Sequence, residues 1–264
     1  MRLASVALLL ATLGVACRPD TVDLTYRLDP DSVLRYEMVA SADASWDIEG
    51  RGEGSYEVTF EITEAVRSVD EEGAVVSVVM DPVDVKEEVL LSPGPRERSF
   101  TLRVGPDGQV LEVVEVDGVP AEALEPDELA FIGTYRPPLP LEPVRLRDSW
   151  PAAQQLQVGS VFQQVASTGH LDALDVDGAA KVAELSYSGS GPLVWTTTLP
   201  QGAAELTGAA DSTSTAEFDI EGGVLRSATS STQGRFEVRV VPEQGQAPLT
   251  GTLRLDLELE LTAL

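Results

Sequence analysis

The chain has 264 residues, with 44 Asp and Glu against 18 Lys and Arg, a net charge of −26, one Cys, one His and three Trp. Such acidity is repelled by phosphate backbones and lacks the clustered cations whose counterion release drives nucleic-acid binding, so no nucleic-acid partner is expected. One Cys and one His build neither an intramolecular disulfide nor the thiolate or paired-imidazole cages of most zinc sites, whereas a hydrophobic content of 43% suffices for a folded core.

Residues 1–16 read as a secretion signal: Arg2 supplies a positive charge, Leu3 to Val15 is apolar or small, and the run closes on Gly14-Val15-Ala16-Cys17. It is shorter than the roughly 20 residues a membrane-crossing helix needs. The only Cys therefore stands where a signal would be cut. Ala16-Cys17 resembles the lipobox of bacterial lipoproteins, although Leu13 lies one place further back than that pattern has it. The resemblance implies cleavage before Cys17, acyl chains such as palmitate on that residue, and residues 17–21 as a short tether. Each buried methylene adds about 0.8 kcal/mol of membrane affinity, so two or three chains anchor permanently. An ordinary secretion signal with an incidental Cys is the alternative. The acidic domain behind the anchor is expected to stand off an anionic leaflet.

From Val22 onwards the dominant pattern has period two, which places apolar residues on one face of a sheet and polar residues on the other. Strand-like runs cover Val33 to Val39, Tyr56 to Ile62, Ala74 to Met80, Phe100 to Val104 and Val110 to Val116. Others cover Phe162 to Leu174, Val182 to Tyr187, Phe218 to Ile220, Phe236 to Val240 and Leu253 to Leu261. Pro106-Asp107-Gly108, Asp177-Gly178 and Gly222-Gly223 supply the turn chemistry between them. One helical stretch is predicted over Pro120 to Ile132, with Leu124, Leu129 and Ile132 on one face and Gly133 as its stop. The proline-rich run Tyr135 to Pro143 after it suits neither helix nor central strand.

These readings divide the chain into a first β-rich half at 22–118, a connector at 119–147 and a second β-rich half at 148–264. In each half the order is strand, acidic-Gly turn, strand, irregular insertion, strand, Gly turn, strand. A duplicated unit and a chance likeness among amphipathic strands both fit that order. The expected fold is mainly β, an antiparallel curved sheet or half-barrel with a short helical and proline-rich connector.

The segment Leu139-Pro140-Leu141-Glu142-Pro143-Val144, followed by Arg147-Asp148-Ser149-Trp150, resembles a group of β-rich bacterial envelope lipoproteins, many of which have Gly where Arg147 stands. The overall pattern is also similar to the half-barrel of periplasmic lipoprotein carriers, an analogy of fold that sets no function.

Residues with catalytic or ligand-binding chemistry are few. His170 stands in a strand-like stretch with no nucleophile elbow to serve, and reads as a structural or surface imidazole. Asp175, Asp177, Gly178 and Glu184 match part of a calcium-loop pattern, but Ala173 occupies its first position and strands flank it, so a hairpin tip is the simpler reading. Asp29, Asp31, Asp70, Glu71 and Glu72 are equally unspecific. Catalytic, cofactor and metal residues are therefore assigned to none. Trp46, Trp150 and Trp195 read as core packing, or together with Phe131, Tyr135 and Phe162 as the lining of a cavity between sheet and connector.

The expected protein is a non-catalytic, membrane-anchored extracytoplasmic lipoprotein on a periplasmic or cell-surface face. It would bind an apolar ligand or an envelope partner protein. A purely structural envelope protein and a carboxylate-dependent hydrolase are the alternatives. Replacing Cys17 by Ser is expected to move the protein from the membrane to the soluble fraction. A Cys17→Ser protein that still sediments with membranes contradicts the anchor.

Overall fold

The computed structural model describes residues 21–48, 50–87, 96–124, 135–158, 161–177, 180–199, 202–241 and 247–264. Cys17 lies outside them. The alternating segments form twelve strands: β1 (Val33–Asp47), β2 (Arg51–Val69), β3 (Ala74–Glu87), β4 (Arg98–Val104), β5 (Val110–Val116), β6 (Val119–Pro120), β7 (Ser149–Val158), β8 (Val161–Asp177), β9 (Ala180–Leu199), β10 (Gly202–Asp219), β11 (Val224–Val241) and β12 (Leu249–Ala263). Among the described residues no helix is long and apolar enough to cross a membrane.

All twelve strands lie in one antiparallel sheet of order β6-β5-β4-β3-β2-β1-β12-β11-β10-β9-β8-β7. The sheet does not close, and forms a curved half-barrel. A right-handed twist of about 20° per strand pair accumulates over this width to more than half a turn. The chain thus makes two six-stranded meanders joined where β1 pairs with β12, from Tyr36 opposite Ala263 to Asp47 opposite Thr252. Because β6 and β7 occupy opposite edges, residues 121–148 must travel from one edge of the sheet to the other.

Register gathers the apolar residues into cross-strand rows on the inner face. One row runs Phe60, Met38, Leu261, Ala228, Ala216, Leu185, Leu171 across β2, β1, β12, β11, β10, β9 and β8. It belongs to the larger core cluster, which also holds Leu24, Tyr26, Tyr135, Leu139, Val144 and Phe218. A second cluster, of Val165, Leu193, Ala204, Leu206, Ala210, Phe236, Val238 and Val240, occupies the other end of the long strands. Between the two the inner face carries smaller side chains, as in the row Ala42, Leu257, Thr232, Ser212, Gly189, Ser167. Thr232 donates to Ser212 there, Oγ1 to Oγ at 2.9 Å.

Glycines facing aromatic rings recur. Trp150 is the strand partner of Gly169, where an added Cβ would lie 2.5 Å from the indole ring, and Trp46 partners Gly52 in the same way. The ring covers the backbone that glycine leaves bare.

Strands extend well beyond their predicted runs. Phe218 and Asp219 end an 18-residue strand, with Ile220 already in the turn, and its earlier inward positions are Ala204, Leu206, Gly208, Ala210, Ser212, Ser214 and Ala216. Such small residues show too little contrast with their outward neighbours for alternation to reveal them. β7, with its Pro, two Ala and three Gln, was not predicted at all. The predicted helix is corrected in part: Val119 and Pro120 add a short edge strand to β5, Ala121–Ala123 form a single 3-10 turn, and Leu124 is already extended. Leu129, Phe131, Ile132 and Gly133 lie outside the described residues.

Candidate functional site

The inner face has a closed end and a partly open one. The closed end is built by two segments laid over the sheet. Residues 22–32 run along its rim: Arg27 donates its amide to Gly223 O (2.9 Å) at the β10–β11 turn, and Asp31 to Val66 O (3.1 Å) on β2. Residues 135–144 of the connector cross the face, with Leu139 donating to Asp107 O (3.0 Å) in the β4–β5 turn. Pro137, Pro138 and Pro140 are buried. A proline run suits this position, since prolines bring no amide donors that burial would orphan.

One carboxylate fastens this plug. Glu64 follows Tyr56, Val58, Phe60 and Ile62 in inward phase on β2, between strand partners Leu34 and Val78, and is only 2% exposed. Its Oε1 accepts from the Tyr135 hydroxyl and its Oε2 from the Arg136 guanidinium. Arg136 also stacks over the Tyr26 ring at 5.5 Å, while Tyr26 donates to Pro137 O (3.1 Å) and meets the Phe218 ring edge-on at 5.3 Å. Burial alone would favour neutral Arg136, but the carboxylate of Glu64 and the nearby hydroxyls of Tyr135, Tyr36 and Tyr26 together outweigh it and hold the guanidinium more firmly protonated. Burial likewise pushes the hydroxyls of Tyr26, Tyr36, Tyr135 and Tyr187 above the ordinary tyrosine range. Both carboxylate oxygens of Glu64 are thus occupied by the connector. The signal for this site in the sequence is an acid at the next inward position after four apolar ones.

Further along the same face the apolar surface is less covered. Tyr56 is 38% exposed and Val85, which shares this face as the partner of Val58, is 43% exposed. Trp46, Ala44, Leu255 and Leu257 beside them are half-buried. Leu257 belongs to neither core cluster. Together these residues form an apolar patch across β3, β2, β1 and β12, offering dispersion contact and desolvation; the Tyr56 hydroxyl, which burial pushes above its ordinary range, is the one titratable group among them.

The outer face is polar. A shallow trough of about 610 Å³ crosses it, lined by His170, Ser186, Ser188, Thr213, Thr215, Thr229, Ser231, Glu258 and Glu260 among others. His170 faces Ser149 and Ser186 as its strand partners. The structure does not bring the partial calcium-loop residues together: Glu184 is opposite Ala173, Asp175 is opposite Val182, and Gly178 lies outside the described residues. Among the described residues no three His, Cys, Asp or Glu side chains converge on a metal-sized space. Of the aromatic residues singled out from the sequence, Trp150 packs edge-on against Tyr187 at 5.9 Å and donates from Nε1 to Pro138 O at 3.5 Å. The side chains of Phe162 and Trp195 lie outside the described residues.

No family model and no curated protein matches the sequence. A solved structure of lipid–protein interactions in lipovitellin is similar to 90% of this chain, with a TM-score of 0.47 and 11% identity. The similar region is 25% of that chain, so this protein spans a quarter of its length.

Removing the Glu64 carboxylate leaves Arg136 buried without its counter-charge. Glu64→Ala is expected to cost about 3–5 kcal/mol in urea unfolding, with most of the loss relieved when Arg136→Met is added. A single-variant loss below about 1 kcal/mol contradicts the fastening role.

Proposed function

We propose that the protein is a non-catalytic, lipid-anchored extracytoplasmic binding protein that holds an apolar ligand against the inner face of its half-barrel. The observation that carries this reading is the apolar patch of Tyr56, Val85, Trp46, Leu255 and Leu257, left partly exposed on a face whose other end is plugged. Contiguous apolar surface retained on a folded protein marks an interaction site. Its concave placement and the largely apolar character of these five side chains suit a flexible hydrocarbon better than a polar metabolite. The lipobox-like Cys17 supplies the compartment, in which such a ligand is a lipid or acyl chain of the envelope.

Native mass spectrometry of a Cys17→Ser protein, which removes the covalent lipid from the mass, tests the reading. A non-covalent adduct of lipid mass is expected, and Leu257→Asp is expected to abolish it while the far-ultraviolet circular dichroism is kept. A bare protein mass, with no uptake of a fluorescent fatty acid supplied in excess, contradicts ligand carriage and leaves the structural alternative.

A further inference from the structure

Val22 and Val144 form an antiparallel bridge, with Val22 N to Val144 O at 2.7 Å and Val144 N to Val22 O at 2.9 Å. This bridge ties the N-terminal segment to the connector at one point. Only Arg18, Pro19, Asp20 and Thr21 separate Cys17 from Val22, a stretch that reaches at most about 18 Å when fully extended. Whatever is attached at Cys17 is held within that distance of the Val144 loop.

The loop has the chemistry of a bilayer interface. Leu141 is 79% exposed, the most exposed large apolar residue described, and Leu146 is 47% exposed, while Val144 between them is buried. Arg145 and Arg147 are exposed beside Leu146, and Glu142 beside Leu141, so the segment 141–147 keeps a net charge of +1 (two Arg against one Glu) in a chain of net charge −26. The turn that displays them is fixed: Arg145 donates its amide to Asp148 Oδ2 (2.9 Å), Asp148 to Arg145 O (2.9 Å), and Arg147 to Leu171 O (2.8 Å) with φ +71°. A pre-formed lip pairing exposed leucines with arginines meets the two requirements of interfacial binding, apolar insertion and attraction to anionic headgroups.

We propose that the lip Leu141–Arg147 is the surface by which the anchored domain rests on an anionic phospholipid bilayer, with Leu141 and Leu146 in the interface and Arg145 and Arg147 at the headgroups. This rests on the reading of Cys17 as the lipid anchor. It turns the plugged end of the half-barrel toward the membrane and sharpens the expected stand-off: the acidic strand faces stay away from the leaflet while one lip touches it.

Cys17 is the only Cys, and once acylated its sulfur cannot be labelled, so Leu141→Cys in the full lipidated protein carries a single reactive thiol. This variant, and Glu53→Cys at the opposite end of the sheet, are labelled with an environment-sensitive nitrobenzoxadiazole and reconstituted on phosphatidylcholine/phosphatidylglycerol vesicles. Expected is a blue-shifted emission at 141 that shallow nitroxide lipids quench several-fold more than at 53, with the difference reduced by Arg145→Glu together with Arg147→Glu. Equal quenching at the two positions on protein that floats with the vesicles overturns the lip while leaving the anchor standing. Protein that does not float overturns both.

Discussion

The half-barrel depends on a carboxylate in its apolar face. A twelve-stranded sheet that does not close leaves a broad apolar concavity, and water enters wherever nothing covers it. Here the cover is the chain's own connector, which has to pass over the sheet because β6 and β7 lie on opposite edges. A proline-rich segment has little secondary structure with which to grip, so the grip is polar. Glu64 on β2 takes one donor from Tyr135 and one from Arg136, and Tyr26 secures the same segment from the N-terminal side. A buried ion pair is weak evidence for stability, but breaking one is costly. Its role here is to specify where the connector lies.

The architecture was largely legible in the sequence, because residues such as Leu253 to Leu261 or Tyr56 to Ile62 advertise one wet and one dry face. The parts missed share a cause. β7 and the first two-thirds of β10 are rich in Ala, Gly, Ser, Thr and Gln, whose inward and outward positions differ little in hydropathy, so their strand character comes from neighbours already in place. Strand order was not legible either, since antiparallel meanders of this length pair equally well in more than one order until the β1–β12 seam is known. The polar fastening was hidden for a different reason: in a chain with 44 acidic residues, Glu64 looks like one more solvated carboxylate, and only its phase along β2 sets it apart.

The same division bears on function. Apart from the Glu64–Arg136 pair, charge resides mostly on the outer face and the turns, where among the described residues it gathers into no metal-sized cluster. The inner face is mostly apolar, with Glu64 and the Ser167, Ser212 and Thr232 row as its polar positions, tightly filled where the plug lies and thinly covered over Tyr56, Val85 and Leu257. A protein that only needed stability would gain by filling that region too. Leaving it open beside a sealed end is consistent with a cradle entered from one side, and the short distance from Cys17 to the Val22–Val144 bridge links the sealed end to the proposed anchor.

Hydrogen exchange followed by mass spectrometry measures directly whether the plug is part of the folded unit. If the connector and the N-terminal segment are integral to the half-barrel, the amides of Arg27, Asp31, Leu139 and Val144 exchange as slowly as those of the strands beneath them, and all lose protection together in mild denaturant. Exchange of residues 22–32 and 135–144 at the rate of surface loops, while β1, β2 and β12 remain protected, would contradict the account, because the sheet would then stand without its cover.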